Sequence, residues 1–233
     1  MKNKIILIGL FVFLIKMVNA QTTYLTENEK DIYWQPKTKI DFSDYQSPNK
    51  DDCEKYYKKY GFTMSSNIGL RGVVDIPKKR GKYDTFYIAP VFCKNCSCIL
   101  SEDSLSLLVD RLLFDLAEIC ARNVRKDLLE MQKEMKSDNT NTIFFTTVKN
   151  KWDEQMHSYF GAALKEILIE KKDSAYITWR KTVDNYLQQT INYSTQPKDC
   201  YRFIKNEPIE KGFKMAKNIM GDMRNNNNEK ESN

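Results

Sequence analysis

The sequence predicts an α+β protein in which a small antiparallel sheet precedes long helices. Three observations lead there. β-branched and aromatic residues gather in two runs between Phe62 and Cys93, parted by a polar turn. From Leu105 onward the apolar residues recur at helical spacing instead. The strands come first and the helices after, without alternation, which separates α+β from a parallel α/β sheet.

The N-terminus is read first as a targeting segment. Lys2 and Lys4 precede an apolar stretch from Ile5 to Val18, interrupted by Lys16, and Val18-Asn19-Ala20 matches a peptidase site. Residues 1–20 therefore read as a secretory signal peptide cleaved before Gln21. The run is too short to span a bilayer comfortably. No second long apolar stretch follows, so no transmembrane span is expected in the mature chain, and its destination is periplasmic or extracellular. Residues 21–32 are polar and expected to be flexible. A single domain is expected over 33–205, with 206–233 as a C-terminal extension. Its end, "NNNNEKESN", lacks the apolar surface needed to order itself.

Within that domain, "WQPKTKIDFSDY" from Trp34 to Tyr45 is aromatic and kept out of a helix by Pro36. "SPNKDDCEKYYKKYG" is a turn-rich or briefly helical insertion ending at Gly61. Phe62 to Ile76 has strand character, with Gly69 and Gly72 marking a bend or bulge. "PKKRGK" makes a basic turn, and Tyr83 to Cys93 is the clearest strand. The two strands flank a short turn, so an antiparallel pair follows.

Ser101-Glu102-Asp103-Ser104 then offers a cap and acids for a helix start. Leu105, Leu108, Val109, Leu112, Leu113, Leu116, Ile119 and Cys120 form its apolar face. Asp110, Arg111, Asp115, Glu118, Arg122 and Arg125 fall largely off that face. The helix is predicted to reach the Met131 region and stop at "KSDNTNT". A second begins near Val148, carrying Trp152, Met156, Tyr159, Phe160, Ala163, Leu164 and Ile167. "EKKDS" breaks it, with Asp173 or Ser174 capping a third helix through Ile177, Val183, Tyr186 and Leu187. Residues 192–197 read as irregular.

Cys53, Cys93, Cys96, Cys98, Cys120 and Cys200 are the six cysteines. An even count in an exported chain reads as disulfides, with fifteen pairings open. "CKNCSC" raises metal binding as a rival, but no second Cys-x-x-Cys supplies the remaining ligands. The formal charge of +6 drops by three with the signal, and acids and bases interleave. No dense basic stripe with stacking aromatics appears, so no nucleic-acid partner is expected.

The helix "VDRLLFDLAEICARNVRK" and the segment around Trp34 and "IDFSDYQSP" together resemble a family of bacterial secreted proteins. It is a domain of unknown function described as predicted zinc-dependent proteases, with a zincin-like layout. Its members show a start motif W…L-x-W-x-D-F, a small sheet, and a helix H-E-x-x-H-F-D-x-x-E-x-x-A-R. Ile40, Phe42, Asp44 and Tyr45 match the first motif. Phe114, Asp115, Glu118, Ile119, Ala121, Arg122 and Arg125 match the helix. The likeness covers roughly residues 30 to 190.

The departures carry the functional expectation. In a zincin helix two histidines one turn apart bind zinc, and the adjacent glutamate is the general base. Those positions here hold Val109, Asp110 and Leu113, and the family's His-Gly pair aligns with Phe160-Gly161. Hydrocarbon side chains donate no lone pair, and the whole chain has one histidine, His157. The resemblance therefore implies a degenerate site with no metal, no cofactor and no zinc-peptidase activity. Val109, Leu113 and Phe160 are expected to pack together, each contributing ~1.5–3 kcal/mol by burial. The same helix residues also suit an ordinary amphipathic core helix, and Glu118 with Arg122 an ordinary surface i, i+4 ion pair.

The expected role is binding of an unknown protein or peptide partner, or a cell-envelope interaction. The alternative is a hydrolase with a relocated metal site built on Asp110, Asp115, Glu118 and the cysteine cluster. His157 has no catalytic partner visible by spacing. The tyrosines and lysines of "KYYKKYG" suit a contact surface or a solvated loop. No phosphate loop, dinucleotide fingerprint or nucleophile elbow is present.

Overall fold

The computed structural model describes residues 24–217. The segment read as a signal peptide, residues 1–20, and most of the C-terminal extension lie outside them.

The antiparallel pair forms as expected and becomes the centre of a four-stranded antiparallel sheet. Strand β1 is Asp31–Tyr33, β2 is Met64–Ser65, β3 is Ile68–Pro77, β4 is Thr85–Cys93, β5 is Cys98–Ile99 and β6 is Phe213–Met215. The larger sheet runs β1-β4-β3-β6, and β2 pairs with β5 separately. β3 and β4 stay in unbroken register from Ile68–Phe92 to Asp75–Thr85. No bulge occurs at Gly69 or Gly72. Gly72 instead leaves room for Phe145: a Cβ there would sit 2.4 Å from its Cζ.

The helices are α1 (Asp51–Tyr60), α2 (Ser104–Met135), α3 (Thr140–Leu164), α4 (Ala175–Gln189) and α5 (Pro197–Lys205). A π-helical turn, Lys165–Ile169, extends α3. With small antiparallel sheets packed against helices and no alternating parallel βαβ units, the architecture is α+β. Among the described residues no helix is long and apolar enough to cross a membrane.

Both faces of the sheet are covered, which explains why β4 reads as a continuous apolar run. Leu70, Val74 and Ile88 pack on Ala117, Cys120, Val124 and Leu128 of α2 and on Phe145, Val148 and Met156 of α3. On the other face Tyr33, Ala89 and Val91 meet Cys200 and Phe203 of α5. Arg202 of α5 is buried there in a bidentate pair with Asp75 of β3, both nitrogens at 2.7 Å.

Several boundaries differ from the sequence reading, each for a physical reason. Asp103 caps α2 by accepting from the N–H groups of Leu105 and Ser106. α2 runs on to Met135, ending in left-handed Lys136. α3 starts well before Val148 because its cap comes from a distant residue: Asp84 accepts from the N–H and hydroxyl of Thr142, both at 2.6 Å. α1 is a full helix, closed by Gly61 at φ +77°, a conformation glycine adopts freely. α5 follows directly on the irregular stretch, over residues for which no element was predicted; it is entered through Pro197 at its first turn and Asp199, whose carboxylate accepts from the Gln196 N–H. β6 lies beyond the expected boundary at 205, and β1 begins inside the segment expected to be flexible.

The apolar face of α2 is also corrected. Leu105 and Leu108 are exposed, and Leu107 is buried in their place. Asp110, Glu118, Arg122 and Arg125 are buried rather than off the core. The sheet, α3, α4 and the chain around Thr195 enclose the middle of α2, so its polar residues need internal partners.

Candidate functional site

A cleft of about 660 Å³ opens between α1, the β2–β3 connection, α2 and α3. One wall carries Tyr56 and Tyr60 of α1 with Phe62, their rings stacked at 6.4 and 5.5 Å between centroids. The facing wall carries Phe160, Leu164 and Ile169, with exposed His157 edge-on to Phe160. Leu113 and Asp110 of α2 form part of the floor. The Cys53–Cys98 disulfide ties α1 to β5 and so holds the aromatic wall in place.

Asp110 is the polar centre of this floor. Its Oδ2 accepts from the Tyr45 hydroxyl at 2.5 Å and its Oδ1 from Ser66 Oγ at 2.8 Å. Burial pushes its carboxyl up to about 6, against the opposing pull of these two hydrogen bonds. Burial, and then the charge of Asp110, hold the Tyr45 phenol far above its usual range. Arg111, next along α2, donates its Nε–H to the Ile40 carbonyl at 2.7 Å. Asp110 takes its hydrogen bonds from Tyr45 and Ser66 and none from Arg111.

Val109 and Leu113 are buried in one apolar cluster with Leu112, Leu116, Ala163, Ile167 and Val183, and Phe160 packs against it. These residues do not fit a zinc ion. Asp110 offers the one carboxylate among them, and both its oxygens already accept hydrogen bonds. Among the described residues no three His, Cys, Asp or Glu side chains converge as metal ligands.

The motif residues that match the family pattern serve other contacts. Phe114 packs with Trp34, Ile40, Tyr45 and Phe92. Asp115 accepts from Trp34 Nε1 at 2.7 Å and from Arg180 at 2.6 Å. Glu118 and Arg122 form a fully buried pair at 2.8 Å, not a surface one. Glu118 also accepts from the N–H and hydroxyl of Thr195. The Arg122 guanidinium lies over the Trp34 ring, 5.3 Å from its centroid. Asp110, Asp115 and Glu118 thus point to three separate sets of partners, and the relocated metal site is not assembled.

The cysteines divide. Cys53–Cys98 and Cys93–Cys96 are disulfides. Cys120 and Cys200 are buried thiols, correcting the expectation that all six pair. Burial pushes each of these thiols up to about 12. A smaller hollow of about 480 Å³ lies beside Gly72 and Phe145. Its cations are already committed: Arg71 to Asp31, Lys149 to Asp153 and Arg202 to Asp75.

Sequence reasoning missed Ser66 and the role of Tyr45 as partners of Asp110. Tyr45 carried a signal as part of the start motif, but Ser66 carried none. Comparison with protein-family models, with curated proteins and with solved structures finds no match.

Proposed function

We propose that this is an exported, non-catalytic binding protein with a degenerate zincin-like fold, and that its cleft receives a peptide or cell-envelope partner. One observation carries the reading. The positions where a zincin helix would present imidazoles hold Val109 and Leu113, packed into core beside an open aromatic-walled cleft. Such a floor can bury a ligand's apolar surface but cannot activate water through a metal.

The joining of the two resembling segments supports the kinship. Trp34 reaches Asp115, Ile40 receives Arg111, and Tyr45 reaches Asp110. Two disulfides among the described residues support export into an oxidising compartment.

The test uses the mature, disulfide-bonded protein and a mixed peptide substrate. Mass spectrometry of the mixture is expected to show intact peptides, with or without a chelator, while equilibrium binding detects retained peptide. Peptide-bond cleavage that a chelator abolishes would overturn the proposal. Gly161→Trp provides the binding control. Gly161 lines the cleft and a Cβ there meets nothing within 4 Å, so the indole is built outward from open space at the cleft wall.

A further inference from the structure

We infer that the cleft selects an organic ammonium group, the side chain of a lysine within a peptide, with Asp110 as its counter-charge. This rests on the reading of the cleft as a peptide-binding site and names what it recognises.

The first argument is charge complementarity. Lysine and arginine make up 37 of the 233 residues, yet none lines the cleft, where Asp110 is the one carboxylate. Of the lysines on the neighbouring elements, Lys58 pairs with Glu54 and Lys165 with Glu170, while Lys59 lies over the ring of Tyr60, 4.8 Å from its centroid, and does not itself line the cleft. A cavity so depleted of positive charge within a basic chain favours a cationic guest.

The second is an imbalance among the buried acids. Asp31 has Arg71, Asp75 has Arg202, Glu118 has Arg122 and Asp199 has Arg125. Asp84 meets the positive end of α3. Among the described buried acids, Asp110 alone has neither a basic side chain nor a helix N-terminus, and it is the one that lines the cleft. Buried charges are normally paired. An ammonium entering from the cleft supplies the missing partner.

The third is the walls. The Tyr56 and Phe62 rings on one side, stacked about Tyr60, and Phe160 on the other present π faces and edges of the kind that attract a desolvated cation, and Tyr60 already holds one such group, the Lys59 ammonium, 4.8 Å from its centroid. The same surfaces cover the methylene stem of a lysine. The volume accommodates that side chain with adjoining backbone.

The experiment uses three pools of acetylated, amidated pentapeptides with neutral residues at the flanks and lysine, norleucine or glutamate at the centre. Binding to the full mature protein is measured by isothermal titration. The lysine pool is expected to bind at least about tenfold more tightly than the norleucine pool, with the glutamate pool weakest. Asp110→Asn should erase the lysine preference while keeping norleucine binding. Tyr60→Leu, at an exposed position, should reduce the preference several-fold without unfolding the chain. Gly161→Trp should remove binding of every pool. Equal binding of lysine and norleucine pools, blocked by Gly161→Trp, would overturn this inference and leave the peptide-binding reading standing. No binding by any pool, or binding indifferent to Gly161→Trp, would overturn both.

Discussion

Tyr45 donates its hydroxyl hydrogen to Oδ2 of Asp110 across 2.5 Å, although 65 residues separate them in the chain. This bond pins the aromatic N-terminal segment onto the long helix α2 at the floor of the cleft. Ser66 completes the arrangement from the β2–β3 connection.

The raised Asp110 carboxyl makes stability pH-dependent. The folded state holds this proton more tightly than the unfolded chain, whose aspartate titrates near 3.8. The contribution is therefore full below about pH 4 and lost as the pH rises through about 6. Tyr45 and Ser66 bond the carboxyl, Arg111 adjoins it, and His157, Tyr56 and Tyr60 face it across the cleft. Asp110→Asn removes the titrating group but keeps a hydrogen-bonding amide. It should be more stable than the parent at pH 8 by roughly 2–3 kcal/mol and near parity at pH 3.5. Urea unfolding across that range checks this, and a pH-independent difference would refute it.

Gly72 admits Phe145 of α3 against β3. Gly72→Ala should cost about 1–3 kcal/mol, because the new methyl overlaps the ring. Adding Phe145→Leu should recover much of the loss. Gly69→Ala, with nothing within 4 Å of its Cβ position, should change stability little. Thermal midpoints of the four chains decide the matter.

The Asp75–Arg202 pair fastens α5 to the sheet in a fully buried setting. Arg202→Met strands a buried carboxylate and should destabilise by about 3–5 kcal/mol. Asp75→Leu with Arg202→Met removes both charges and should regain most of that. If the double variant is no better than the single, the cost lies in packing, not in the unpaired charge.

The two disulfides should open in order. Cys96 is exposed, whereas Cys53 and Cys98 are buried. A thiolate reductant needs access to sulfur. Graded glutathione followed by alkylation and peptide mass mapping should label Cys93 and Cys96 first. Cys120 and Cys200, buried and poorly ionised, should stay unlabelled until the chain unfolds. Early labelling of Cys53 and Cys98 would contradict this order.

Much of the fold was legible along the chain. The β3–β4 pair, the helical period of α2 and the Ser174 start of α4 follow from local pattern. The beginning of α3 was not, because its cap, Asp84, lies on the far side of α2 in sequence. β6 is too short to show a period, and Pro197 and Asp199 are helix-start signals inside and just after a stretch that otherwise lacks one. Val109, Leu113 and Phe160 fall in one apolar cluster, of which Leu113 and Phe160 also line the cleft. The burial of Glu118 and Arg122 was missed, since an i, i+4 pair reads the same on a surface as in a core.

The sequence by itself determined the element types over most of the described chain and the apolar character of Val109 and Leu113, because side-chain chemistry and periodicity are local properties. Only the tertiary structure decided which acids are paired, which cysteines bond, and that Asp110 faces a cleft without a cation. Those facts depend on segments tens of residues apart meeting within hydrogen-bond or disulfide distance, and no local pattern encodes that meeting.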